Sequence, residues 1–322
     1  MKIKNILSIA ILLIIIAFAA YYVNDNIHDF SDIKLVNPWF IAPVVLLLLA
    51  GLYIQGLQNK NLLTPFGVNL RSGEEFSLAI VTRFYNLITP FRGGMAARAV
   101  YLKKKHKFPY TNFMATLAAS YVLIFLVAST LGIISTILIY YTTGIFSWIL
   151  FVVFDVVFIG MTGIMVVSPK FAEPENKWLR RFVTVINGWH LIKHNKRVIA
   201  VTILITFVQI MLGSVMLWLQ FRVFGISVGF VPCLFLSSIG NLSILVGITP
   251  GNLGIGEAIT VFSALTIGIT PAQSLSAALL GRAVSLVVLF ILGPIFSYVL
   301  MRKGRNSFDN GSHRNTAHHG ER

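Results

Sequence analysis

Two ionisable residues stand in stretches otherwise apolar enough for lipid. Glu257 lies in VGITPGNLGIGEAITVF, residues 246–262, and Arg282 lies in QSLSAALLGRAVSLVVLFIL, residues 273–292. A charge inside a bilayer costs about 2.5–3.5 kcal/mol on insertion scales, so it calls for a partner or a task. Glu257 and Arg282, one helix apart, are the expected pair. The Glu257 stretch also contains a break, because proline removes an amide donor and glycines permit a tight turn. A helix starting after GNLGIGE would aim its first amides at an anion, phosphate above all. Asn252, Gly254 and Gly256 are therefore expected to bind a headgroup together with Glu257 and Arg282. A local role, in which Glu257 caps free amides at the helix start, fits the sequence equally well.

A second break occurs in NLITPFRGGMAARAVYL, residues 86–102, where Arg92 and Arg98 supply positive charge. Attraction of an anionic headgroup is one role for them, and anchoring at a cytoplasmic surface is the other. Other polar residues suggest less. Asp155 is isolated in an apolar run and is expected to bond a neighbouring helix. Ser237, Ser238, Asn241 and Ser243 make one side of the second broken region polar, as residues that glue membrane helices do. The single cysteine, Cys233, reads as a small buried residue. His318 and His319 lack helical ligand spacing. No HExxH, GxSxG or Walker sequence occurs. No catalytic residue, metal or cofactor is expected.

The elements that must position these residues are membrane helices. Hydrophobic residues make up 56% of the 322 positions and charged residues 11%, against about 25% charged in ordinary soluble domains. Unbroken spans are predicted at about 5–23, 38–57, 112–140, 145–167, 198–221 and 273–300. The regions 76–102 and 229–268 are apolar but interrupted, giving about eight hydrophobic segments in an all-α integral membrane protein. Each interrupted region could be a re-entrant hairpin or two short crossings. Non-helical backbone at that depth must face protein or a wet cavity.

The net charge of +15 could suggest nucleic acid, but most Lys and Arg fall in the loops that this map places on one side. By the positive-inside rule, both termini are cytoplasmic and the charge is mainly topological. Lys103, Lys104, Lys105 and Lys107 could also hold anionic lipid. The stretch WLRRFVTVINGWHLIKH, residues 178–194, reads as an amphipathic surface helix or a connector. The expected membrane domain is 1–302, and 303–322 is an expected disordered polar tail.

Ile88-Thr89-Pro90 and Ile248-Thr249-Pro250 stand about half the chain apart, each followed by glycines and an Ala-rich apolar stretch. The topology places the first broken region on the cytoplasmic side and the second on the outside. An inverted repeat follows as an expectation, with halves of about 38–141 and 198–300. Broken helices at matching positions of such halves point to a transport site near the midplane.

These residues resemble the lysylphosphatidylglycerol synthase transmembrane-region family, also called the flippase-like family. Pro250, Gly254, Glu257 and Arg282 match its pattern in the second half, and Asn86, Pro90, Gly93, Gly94 and Arg98 in the first. One departure stands out: many members carry a Glu just after the glycine, where this chain has Met95 and Ala96. The resemblance implies an eight-segment membrane domain that moves aminoacylated phosphatidylglycerol between leaflets. It gives no soluble aminoacyl-transferase domain here, so no lysyltransferase activity carries over.

Together these readings give a lipid flippase in the plasma membrane. Its substrate would be an anionic or aminoacylated phospholipid or a polyprenyl phosphate. The alternatives are a scaffold partnering a separate synthase and an intramembrane headgroup enzyme.

Overall fold

The structure, a computed structural model, describes residues 34–89, 92–167, 192–193, 195–246 and 249–317. The expected first span, 5–23, and nearly all of the amphipathic stretch 178–194 lie outside the described residues. Among the described residues all regular structure is helical. Five helices are long and apolar enough to cross a membrane: Pro38–Phe66, Tyr110–Thr143, Trp148–Val167, Lys196–Val223 and Pro271–Arg302. We number the α-helices α1 (Ile41–Leu63), α2 (Glu74–Ile88), α3 (Gly93–His106), α4 (Tyr110–Thr143), α5 (Trp148–Val167), α6 (Lys196–Val223), α7 (Phe230–Leu242), α8 (Ile255–Leu265) and α9 (Pro271–Ala317). The last helix continues through 303–317, the stretch expected to begin a disordered tail.

Both interrupted regions fold as helix–turn–helix hairpins, α2–α3 and α7–α8. The arms have 15 and 14 residues in the first hairpin and 13 and 11 in the second. At 1.5 Å per residue each arm reaches only ~16–22 Å, short of the ~30 Å hydrocarbon core. The lengths therefore suit hairpins that enter and return. The turns follow from local chemistry. Thr89 and Thr249 each precede a proline and are extended (ψ 142° and 155°), as clash with the proline ring demands. The helix or turn before each proline therefore cannot run on.

The first hairpin closes tightly because Gly94 has no side chain. A Cβ there would overlap the Thr82 carbonyl oxygen of α2 and crowd Asn86. Lipid is as apolar as leucine, so close approach and interhelical hydrogen bonds, rather than apolar burial, hold membrane helices together. The α1–α6 seam shows both ends of such a contact. The Val36 and Asn37 amides donate to the Val223 carbonyl (3.0 and 2.9 Å), and Asn37 Nδ2 donates to the Arg222 carbonyl (3.1 Å). At the other end, Asn61 Nδ2 donates to the Val198 carbonyl and to Thr202 Oγ1, both at 2.9 Å. Between them, Gln58 Nε2 donates to Thr206 Oγ1 (2.9 Å). The start of α1 thus meets the end of α6, and the two helices are antiparallel.

The remaining packing is reciprocal. Hairpin arm α2 packs on α1 and crosses to α9, while hairpin arm α7 packs on α6 and crosses to α4. Phe76 stacks edge-on to Phe296 and Phe84 to Phe290, fixing α2 against α9 in opposite directions. On the other side, Phe154 of α5 and Phe235 of α7 share the core with Phe125 and Leu131 of α4.

Candidate functional site at the hairpin junction

The two hairpins meet at their turns. Leu87, at the end of α2, lies against Gly251, whose missing Cβ would come within 2.8 Å of the leucine and 3.1 Å of Arg282 Nη1. Gly251 also has φ +59°, so glycine is required there on two grounds. Across the same junction Arg92 Nη2 donates to the Ile244 carbonyl at 2.8 Å.

Glu257 makes both of the protein contacts foreseen for it, the helix cap and the pair with Arg282. Its Oε2 accepts the Gly254 amide at 2.7 Å, which caps α8. Its Oε1 accepts from Arg282 Nε at 2.9 Å and Nη2 at 2.6 Å. Arg282 Nη1 in turn donates to the Gly251 carbonyl at 2.7 Å. The break is therefore fastened to α9 by one guanidinium. The pair is not sealed: the Arg282 side chain is 20% exposed and that of Glu257 13%.

This geometry changes the expected phosphate cradle. The protein's own carboxylate occupies the Gly254 amide, so the start of α8 is already satisfied there. Gly256 serves close packing, since a Cβ would sit 3.1 Å from Asn252 Nδ2. Asn252 adopts the left-handed conformation (φ +58°) and donates to Ser243 Oγ at 3.1 Å. Its buried Oδ1 has no partner among the described residues. Asn86 faces Gly94 across the first hairpin, with its own Oδ1 buried and unpaired among the described residues.

The two candidate arginines of the first hairpin separate. Arg92 is a left-handed residue (φ +55°) at the turn, and its Nη1 donates to Tyr121 OH at 2.9 Å. Arg98 instead turns into the protein and is 6% exposed. Its Nη1 donates to Asn59 Oδ1 at 2.6 Å, and its guanidinium lies 5.1 Å from the centre of the Phe113 ring. Among the described residues no carboxylate pairs with it, and its Nε and Asn59 Nδ2 have no partner. Both residues line a cavity of about 10 Å³ with Ser120, Thr116 and Phe113, room for about one water. Arg98 is thus placed apart from the Glu257–Arg282 junction.

Arg83 is the residue that the sequence reading left out of the site. It projects from α2 one turn before Leu87 and is accessible from solvent. The charges of Arg92 and Arg282 act on it. Nothing among the described residues hydrogen-bonds to it or pairs with its charge. The available signal was a lone arginine within an apolar helix, close before the break.

A further cluster closes the mouth of the first hairpin. Glu74, 1% exposed, accepts from Tyr101 OH (2.7 Å), His106 Nε2 (2.7 Å) and Lys105 Nζ (3.1 Å), and from the Arg71 amide (3.2 Å). Burial alone would raise its pKa. The hydrogen bonds from His106, Tyr101 and Lys105 outweigh burial and hold the carboxyl at about 2. The serines of the second hairpin mostly bond their own helix, although Ser237 Oγ reaches the Ile210 carbonyl of α6 at 3.4 Å. Asp155 is half-buried on α5 and makes no hydrogen bond to another described residue. Among the described residues, no three His, Cys, Asp or Glu side chains converge as a metal site would require.

An all-α bundle with two broken hairpins and a partly exposed ion pair at their junction defines an integral membrane protein with a polar site between its hairpins. The chain belongs to the lysylphosphatidylglycerol synthase TM region family, whose model matches residues 5–293. No curated protein and no solved structure matches it.

Proposed function

We propose that this membrane protein is a lipid flippase. The headgroup passes through the junction of the two hairpins while the acyl chains stay in the bilayer. The supporting observation is the Glu257–Arg282 pair, partly exposed at the point where the hairpin turns meet. An ion pair that also fastens a helix break can exchange partners. Arg282 can pass from Glu257 to a headgroup anion, which frees the turn at Gly251 to move. Arg92 holds the opposing turn. In this reading the first hairpin opens to the cytoplasm, the second opens to the outside, and both termini are cytoplasmic in the plasma membrane. With no Walker sequence, the driving force is a gradient or the lipid asymmetry itself.

The test is scrambling of a labelled lipid in proteoliposomes, comparing the intact chain with Glu257→Gln and Arg282→Ala. Loss of transport in variants that remain folded supports the reading. Undiminished transport in both would return Glu257 to a capping role alone. Co-purification of a lipid synthase with a chain that moves no lipid would make the protein a scaffold instead.

A further inference from the structure

A second polar place lies apart from the hairpin junction, in the small cavity where α1, α3 and α4 meet. Asn59 of α1, Arg98 of α3, and Thr116 and Ser120 of α4 line it, together with four leucines and Phe113. Arg98 Nη1 donates to Asn59 Oδ1 at 2.6 Å. That bond also fixes the Asn59 amide, because the reverse orientation would set one N–H against another. Two donors are then left, Arg98 Nε and Asn59 Nδ2. Both are buried and have no partner among the described residues.

The other lining groups do not answer the charge. None of the lining residues is acidic. Glu75, one turn before the lining Leu78, is held by Lys60 at 3.8 Å instead. Thr116 spends its hydroxyl proton on the Phe113 carbonyl at 2.7 Å, while the Ser120 hydroxyl can rotate to donate. The Phe113 ring, 5.1 Å from the guanidinium, offsets only part of a desolvated charge. A water in the cavity would accept from a donor but would leave the charge itself unmet.

From this we infer that the cavity is a halide site, in which one chloride ion accepts from Arg98 and Asn59 and ties α3 to α1 and α4. Size selects the ligand. The cavity measures about 10 Å³, the room of one water-sized occupant, which suits a monatomic anion and excludes phosphate, sulfate and a lipid headgroup. The walls agree, since leucine and phenylalanine surfaces favour a weakly hydrated ion over a strongly hydrated one. The site stands whether or not the protein moves lipid.

The test is thermal unfolding of the full chain in detergent, with sodium gluconate replaced stepwise by chloride, bromide, sulfate or phosphate at constant ionic strength. Chloride and bromide should raise the melting temperature along a saturating curve, by about 2–4 °C once the ion reaches roughly ten times its dissociation constant. Sulfate and phosphate should not follow that curve. Asn59→Asp places a carboxylate on Arg98 at almost unchanged volume. It should remove the halide response and, in gluconate, melt no lower than the unmodified protein does in chloride. Arg98→Met with Asn59→Leu removes both sets of donors and should also ignore halide, so any stability it gains should be greatest in gluconate and narrow as chloride rises. No halide response in the unmodified protein would overturn the inference and leave Arg98 answered from within the chain. An unaltered response in folded Asn59→Asp would place the halide elsewhere and overturn it as well. Sulfate or phosphate matching chloride would show a larger anion site and refute the halide assignment.

Discussion

Glu257 couples two structural tasks in one carboxylate, and substitutions can separate them. Glu257→Gln keeps an oxygen for the Gly254 amide but leaves Arg282 without its counter-charge. Glu257→Ala removes both. Because the pair is partly exposed, the loss for Gln should be about 1–2 kcal/mol, below the 3–5 kcal/mol of a fully buried broken pair. Ala should cost about 1 kcal/mol more, the usual value of a cap. Thermal unfolding in detergent checks the order. Arg98 presents the opposite case. It is a buried charge with no carboxylate partner among the described residues, beside an Asn59 amide that is only half used. Replacing both by apolar side chains, as Arg98→Met with Asn59→Leu, should leave the fold intact and raise the melting temperature, because a desolvated charge costs more than one hydrogen bond to an amide returns. A lower melting temperature in the double variant would show that the cavity compensates Arg98 in another way.

At the scale of elements, the first hairpin depends on contact without side chains at Gly94. Gly94→Val should destabilise it by about 2 kcal/mol or more, because the Thr82 carbonyl is backbone and cannot swing away. Hydrogen exchange localised to α2 and α3 would register this before global unfolding. The mouth of the same hairpin should respond to acid. The Glu74 pKa is lowered from 4.5 to about 2 in the folded state. Its contribution is therefore complete above about pH 4.5 and is lost as pH falls toward 2. Amide protection at the start of α2 and the end of α3 should drop over that window, and Glu74→Gln should flatten the dependence.

Much of this was legible in the chain. Bilayer thickness imposes long apolar runs, so the spans could be read directly. Thr-Pro followed by glycine marks where a helix cannot continue. Glu257 and Arg282 could be matched because each is the only charge in its stretch. The rest depends on contacts between distant segments. Nothing local shows that Arg98 turns away toward Asn59, or that Glu74 meets His106 only once the hairpin has closed.

For the whole molecule, the antiparallel α1–α6 seam and the opposed hairpins predict a sidedness. Single cysteines at Ser227 and Thr270, both exposed near the ends of the second hairpin region, should react with an impermeant thiol reagent from outside intact cells. Cysteines at Ser72 and Lys104, exposed at the mouth of the first, should react only after the membrane is opened. Buried Cys233 should stay silent in all four. Labelling of all four from one side would exclude the inverted arrangement of the hairpins.

The crossing of α2 onto α9 also has a consequence for biosynthesis. α2 ends at Ile88, and its packing partner begins at Pro271, roughly 180 residues later. At about 5–20 residues per second, a ribosome needs ~10–40 s to supply that partner. Throughout that interval the nascent first hairpin, with Arg83, waits beside the translocon without its final neighbour. A chain stalled before α9 is complete should therefore be an early target for membrane proteolysis, however sound its first half.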